Sequence, residues 1–403
     1  MEKINGLLFK APIYAKLHVL IWGFIMKRVF QFCWLFGLLA GACTGVSGMT
    51  AVTNNVNNVN NINNANNTNN NPDGTVPDIN QDGDGMVGCD PKNFTLKASP
   101  PAEVYLVIDR SGSMLEPGAT PGMTRWAEVI AAMDTALTQF ENSVRFGVVL
   151  YPANEECATA GPLVPVNLNN RDEILFELNQ ANPAGGTPTA AALRNAAASL
   201  VDFQTPGSPQ FIVLATDGGP NCNYILNPSP VCGCTYSAAE YCCTNYPGAC
   251  FFGSNCLDDG NTLDVISANR SLYGIDTFVI GLSGTNAYRD LLNAMAVTGG
   301  RAQVGGSTDY YSAENETELS AALQSIAVSV ISCSIELDEA PLYPNFVHVY
   351  IDGAEVARDG TKNDGWDYSD AQLTSIELYG PQCDLLRDGE QHNLTATFAC
   401  TVD

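Results

Sequence analysis

Short, continuous apolar runs alternate through the middle of this chain with stretches in which apolar residues recur every three or four positions. Val104–Ile108 and Phe211–Ala215 are unbroken apolar segments, the pattern of strands buried on both faces. Between them, Trp126, Val129, Ile130, Met133, Leu137 and Phe140 keep a helical period. The same reading predicts strands over 103–109, 144–150, 210–216 and 275–281, with a last short strand over 301–304. It predicts helices over 126–140, 171–179, 188–203, 261–273, 286–297 and 314–330. Buried strands separated by helices imply an α/β fold, a doubly wound and mostly parallel sheet. Such sheets bind ligands outside the carboxyl ends of their strands.

Beyond residue 332 the period changes to two. Phe346–Ile351 alternates, Asp352-Gly353 is a two-residue hairpin signal, and Thr374–Tyr379 and Asn393–Cys400 read as further strands. Residues 332–403 are therefore expected to form a small β domain tied by Cys333, Cys383 and Cys400. Trp366 and Tyr368 could be an exposed aromatic ligand patch, but such aromatics more often belong to a small core.

Three polar clusters sit where the apolar runs stop. Asp109-Arg110-Ser111-Gly112-Ser113 follows the first strand, Gly185-Gly186-Thr187-Pro188-Thr189 opens a helix, and Thr216-Asp217-Gly218 ends a later strand. One carboxylate and two hydroxyls delivered by a turn suit a hard divalent cation, which takes oxygen ligands. The order Asp-x-Ser-x-Ser, then Thr, then Asp resembles the metal-ion-dependent adhesion site of the von Willebrand factor type A domain, and the resemblance runs from about Pro100 to Val330. It implies a metal site at Asp109, Ser111, Ser113, Thr187 and Asp217, holding Mg²⁺, or Mn²⁺ or Ca²⁺. In the family the serine hydroxyls bind the ion directly. The threonine joins when ligand arrives, the aspartates act directly or through water, and a ligand carboxylate takes the open position. The α/β domain is expected over 100–331.

The amino terminus reads as a targeting segment. Met26-Lys27-Arg28 precedes the apolar Val29–Ala40 and then Gly41-Ala42-Cys43, and Met26 is the expected true start within a signal segment over 1–43. Leu38–Cys43 resembles a bacterial lipobox, with Ala40 standing where leucine is commonest; it implies lipid on Cys43. A non-cleaved anchor or an ordinary secretory signal is the alternative. Residues 44–99 form an Asn-rich tether and acidic linker, whose repeated Asn-Asn-x triplets cannot bury enough apolar surface to order. Asp78, Asn80, Asp82 and Asp84 alternate as in a calcium loop, with Gly83 at its sixth position. Cys89 occupies the twelfth position, where a glutamate would complete the loop, so this is either a partial Ca²⁺ site or a turn-rich acidic linker.

Charge and cysteines narrow the setting. The formal net charge is −25; five of the 18 Lys+Arg but one of the 43 Asp+Glu precede Cys43, leaving 13 basic against 42 acidic residues, or −29. That surface repels nucleic acid and anionic headgroups, leaving a membrane reachable only through the lipid. There are 14 cysteines, seven of them in an insert over 222–256 just after Asp217, so one is expected to pair outside it, with Cys157 the nearest unassigned in sequence. Zinc is the rival reading of Cys232-Gly-Cys234 and Cys242-Cys243, though these lack the usual CxxC spacing. The insert is anchored beside the metal motif and is expected to set ligand choice.

Enzymatic motifs are absent: there is no Gly-x-Ser-x-Gly, HExxH or Walker loop, and the three histidines, His18, His348 and His392, lie away from the metal motif. A metal-assisted hydrolase would need an acid as its base, for which Glu116 is a candidate, though such a glutamate is more often a solvated loop residue. The expectation is a non-catalytic adhesion or ligand-binding lipoprotein of a bacterial outer membrane, exposed at the surface, whose partner is a protein presenting a carboxylate. A secreted or periplasmic scaffold protein docking one fixed partner is the second reading, and a hydrolase the third.

Overall fold

The computed structural model describes residues 92–398, except 95, 155, 224–234, 236–254 and 342–343. The signal segment with Cys43, the tether, the Asp78–Asp84 loop, most of the insert, Cys89 and Cys400 lie outside the described residues. In chain order the first part comprises β1 (Lys92–Phe94), β2 (Leu96–Ala98), β3 (Glu103–Asp109), α1 (Arg125–Phe140), β4 (Arg145–Tyr151), β5 (Val164–Asn167), α2 (Arg171–Gln180) and α3 (Thr189–Asp202). There follow β6 (Gln210–Thr216), α4 (Asp259–Tyr273), β7 (Asp276–Leu282), α5 (Arg289–Thr298), β8 (Tyr311–Ala313) and α6 (Glu316–Val330).

A six-stranded sheet in the order β5-β4-β3-β6-β7-β8 forms the centre. All its pairings are parallel except that of the edge strand β5 with β4. Successive residues of β3 serve opposite faces. Val104, Leu106 and Ile108 pack with the apolar stripes of α1, α2 and α6, and Tyr105 and Val107 pack with those of α3, α4 and α5. Every residue of β3 and β6 is buried, which is why neither strand shows alternation in the sequence. The doubly wound α/β fold is as expected.

Two edge features differ from the pattern reading. Residues 301–304 form no strand, and Val304 is 98% exposed. Gly300, at φ 76°, turns the chain away after a single bridge to Thr277. The last strand is β8, paired with the end of β7. Strand β5 contains Pro165, which weakens its strand signal and which an edge tolerates.

The small module contains β9 (Ser334–Leu337), β10 (Val347–Ile351), β11 (Ala354–Val356), β12 (Gly365–Tyr368), β13 (Ser375–Tyr379), α7 (Pro381–Leu386) and β14 (Leu394–Phe398). Its two four-stranded sheets run β1-β14-β10-β11 and β12-β13-β9-β2. Residues 92–94 and 96–98, assigned by sequence to the linker, are thus strands of this module, β1 pairing with β14 and β2 with β9. The module is assembled from both sides of the α/β domain. Each of these strands has three residues, too few to show alternation, and their partners lie at the far end of the chain. Asp352 and Gly353 make the β10–β11 hairpin with φ of 51° and 80°, the positive pair that a type I′ turn needs. Cys333 and Cys383 are bonded.

Trp366 is 1% exposed and meets Tyr368 edge to face at 5.3 Å, so these aromatics are core. Trp366→Ala is expected to destabilise the module by about 3–5 kcal/mol in denaturant unfolding.

His392 joins the module's loops. Its Nδ1 lies 2.7 Å from Asp352 Oδ2 and its Nε2 3.2 Å from Asp388, whose carbonyl accepts from Gln139 Nε2 on α1 at 3.1 Å. The hydrogen bond to Asp352, with help from Asp388, raises the imidazole pKa above its usual value. A raised folded pKa contributes stability that is present below the unfolded value near ~6.5 and is lost as pH rises through the folded one. Thermal melts should therefore decline from pH 6 to pH 8 in the native protein, and His392→Gln should flatten that part of the profile.

Candidate metal site

The three polar clusters converge because β3 and β6 are adjacent and in register, Ile108 facing Ala215. Asp109 ends one strand, and Thr216 ends the other with Asp217 just beyond it, at the same sheet edge. Asp109 is fully buried. Its Oδ1 accepts from the Ser111 amide at 2.8 Å and its Oδ2 from Thr216 Oγ1 at 2.7 Å. A 3₁₀ turn over Gly112–Leu115 brings Ser113 round to Ser111, the two hydroxyl oxygens 3.0 Å apart. Ser113 Oγ donates to Asp217 Oδ1 at 2.8 Å.

The Thr187 loop is held by backbone to both neighbours. Ala184 N donates to Arg110 O at 2.9 Å and Gly112 N to Gly185 O at 3.1 Å. On the other side Thr187 N donates to Asn221 Oδ1 at 2.7 Å, and Asn221 N to Thr187 O at 2.8 Å. Behind the loop runs a disulfide between Cys157 and Cys222, which carries the odd insert cysteine to the β4–β5 connection. A side chain at Gly186 would place its Cβ 2.4 Å from Cys222 Sγ and 3.3 Å from Cys157 Sγ, so only glycine lets the loop lie against the bridge. The described part of the insert is tied in through Thr235, whose Oγ1 accepts from Asn221 Nδ2 at 2.9 Å and whose carbonyl accepts from Tyr288 Oη at 3.2 Å.

Asp109, Ser111, Ser113 and Asp217 are therefore brought into one hydrogen-bonded set, with Thr187 on the loop beside them. The sequence reading missed Arg125 and Asn221. Arg125 Nη1 donates to Asp217 Oδ2 at 2.8 Å, and Nη2 pairs with Glu116 Oε2 at 2.9 Å. Its signal was a basic residue opening a helix, against the macrodipole. Nothing local marks Asn221.

Burial pushes the Asp109 carboxyl up to about 7, and the nearby Asp217 charge adds to the effect. Burial also raises Asp217, opposed by its hydrogen bonds from Arg125 and Ser113. Two buried carboxylates with one arginine, bound to Asp217, leave negative charge uncompensated when both are ionised. Among the described residues no three His, Cys, Asp or Glu cluster to hold a metal, so a cation here depends on hydroxyls. The hydroxyl spacing fits one: neighbouring ligands of an octahedral ion at ~2.1 Å stand about 3.0 Å apart, the separation of Ser111 Oγ and Ser113 Oγ. Ser113 can donate its proton to Asp217 and still offer a lone pair. Alongside opens a groove of about 500 Å³ whose walls include Arg110, Leu150, Asn154, Leu163, Glu177 and Asn182.

The family model for the von Willebrand factor type A domain matches residues 103–326. No curated protein sequence matches the chain. Solved structures with a similar fold include the pilus adhesin SpaC from Lactobacillus rhamnosus GG, at 16% identity and a TM-score of 0.42 over 74% of this chain; the chain spans 39% of SpaC. The vWF domain of the type V pili tip protein Mfa5 from Porphyromonas gingivalis is similar at 15% identity and a TM-score of 0.40, covering 58% of this chain and 96% of that one. Manganese-loaded TRAP from Plasmodium vivax is similar at 14% identity and a TM-score of 0.39, covering 72% and 97%.

Proposed function

The chain belongs to the von Willebrand factor type A domain family, and from that premise we propose that it is a metal-dependent adhesion or ligand-binding protein of a bacterial cell envelope. The observation that carries the reading is the hydroxyl pair of Ser111 and Ser113, 3.0 Å apart and backed by two buried aspartates at the sheet's carboxyl edge. Ser111 and Ser113 are the direct ligands of Mg²⁺, or of Mn²⁺ or Ca²⁺. Thr187 is poised to join them, and Asp109 and Asp217 hold the hydroxyls or act through water. A hard cation held largely by neutral hydroxyls keeps charge for an incoming carboxylate. The partner is a protein presenting that carboxylate, with its adjoining segment along the groove beside Arg110.

The site is for binding, not catalysis. Glu116 is engaged by Arg125, Asp109 and Asp217 are held in hydrogen bonds by Ser111, Thr216, Ser113 and Arg125, and His348 and His392 belong to the β module. Among the described residues no helix is long and apolar enough to cross a membrane. Attachment in this reading is by lipid on Cys43, ahead of the Asn-rich tether, in the outer membrane.

The test is capture of envelope and matrix proteins by the full chain in Mg²⁺ against EDTA, with protease access measured on intact cells. Mg²⁺-dependent capture by a surface-accessible protein supports the adhesin. The same capture by a protein shielded from protease indicates the periplasmic scaffold. Capture indifferent to EDTA overturns the metal reading.

A further inference from the structure

Arg125 is the first residue of α1, where its positive charge faces the positive end of the helix dipole. That position is unfavourable on local grounds, so the compensation comes from the site. The guanidinium is mostly buried, its side chain 12% exposed. It binds the fully buried Asp217 carboxylate at 2.8 Å, reaches the Ser113 carbonyl at 3.4 Å, and meets Glu116 at 2.9 Å on its outer side. Gly284, at φ 104°, leaves room for it: a Cβ there would lie 2.8 Å from Arg125 Nη2.

The charge inventory gives this arginine a consequence. Ionised, as a bound cation requires them, Asp109 and Asp217 contribute two negative charges to the buried set, and Arg125 returns one positive charge. Glu116 is 61% exposed, so water screens it and it weighs less. With Arg125 the inner set is −1, and a divalent cation leaves it at +1. Without Arg125 the inner set is −2, and the same cation leaves it neutral.

We infer that Arg125 is a built-in counter-charge that weakens the hold on the cation in order to strengthen the hold on an anionic ligand. It does so from behind Asp217 and Ser113, as a positioning residue that need not touch the ligand. Asp217 stays fixed by Ser113 Oγ on its other oxygen, so removing Arg125 subtracts charge without freeing the carboxylate. This inference rests on the proposed metal reading of the site and assigns to one residue the division of affinity between ion and partner.

The probes are Mn²⁺ alone, followed by electron paramagnetic resonance, and acetate added to the Mn²⁺-loaded full chain. Arg125→Gln keeps a hydrogen-bond donor and loses the charge. It should bind Mn²⁺ about tenfold more tightly and hold acetate about tenfold more weakly than the native protein. Arg125→Lys should stay near native on both readouts. Glu116→Gln, an exposed change that spares the fold, should move both the opposite way, with weaker Mn²⁺ and stronger acetate binding. Arg125→Gln that melts like the native protein yet binds Mn²⁺ equally or less well overturns the inference while the metal site stands. If Arg125→Gln does not fold, the Glu116→Gln shift decides by the same sign rule. No Mn²⁺ binding by the native protein or by any variant overturns the metal reading and this inference with it. Binding by Arg125→Gln alone overturns the metal reading of the native chain and, with it, this division of affinity.

Discussion

Asp109→Ala should abolish Mg²⁺ binding, by about a hundredfold or more, in a protein that still unfolds cooperatively. A supporting residue around a metal costs 10–100-fold when changed, and Asp109 fixes both the Ser111 backbone and Thr216. The fold should survive because two effects oppose each other. Ser111 N loses its acceptor, at about 1–3 kcal/mol for an unsatisfied group, while Thr216 Oγ1 keeps the Gly218 carbonyl as acceptor at 3.2 Å. Against that, a buried charge held close to Asp217 disappears, and Asp109's carboxyl is pushed up to about 7 by that environment. The cores on both faces of β3 are untouched. Titration calorimetry should show saturable heat for the native chain and none for the variant, with a single thermal transition in each. An unchanged titration would remove the metal assignment.

What the sequence made legible is what depends on local period and on strand ends. The apolar runs of β3 and β6 announce strands buried on both faces, so the residues that end them, Asp109 and Asp217, were placed at a ligand-binding edge before any contact was known. The stripe from Trp126 to Phe140 gave α1 for the same reason. The illegible parts depend on partners far away in sequence. Residues 92–94 and 96–98 are strands only because β14 and β9 receive them. Arg125 lies 92 residues from Asp217 in sequence, and a basic residue beside the start of a helical stripe gives no sign of the carboxylate it meets. Asn221 works through an amide that bridges Thr187 and Thr235, and an asparagine in a polar loop has no pattern to betray it. Cys157 was legible only by parity, as the outside partner of an odd set; which insert cysteine it would meet depended on the fold.

Cys157→Ser with Cys222→Ser should lower stability by about 4 kcal/mol, the chain-entropy expectation for a bridge closing a sequence separation of 65. That corresponds to a melting temperature lower by about 10 °C for a domain of this size. The functional effect should reach further than the stability loss. The bridge lies against Gly186, the residue before Thr187, and joins the β4–β5 connection to the loop after Asp217. It therefore fastens together the loops that flank the hydroxyl cluster from two sides. Without it, Thr187 keeps its hydrogen bonds to Asn221, but Asn221 sits beside the freed Cys222, and the insert tied to it through Thr235 loses an anchor. Ordering these loops would then fall to the binding step, where each immobilised side chain costs about 0.5–1.5 kcal/mol. Mg²⁺ affinity should drop by about tenfold, because Ser111, Ser113 and Asp109 remain in place, while partner capture should drop more if Thr187 and the insert carry that contact, as the proposed function has it. A double variant that melts lower yet binds metal and partner as the native chain does would reduce the bridge to a stabilising link with no part in the site.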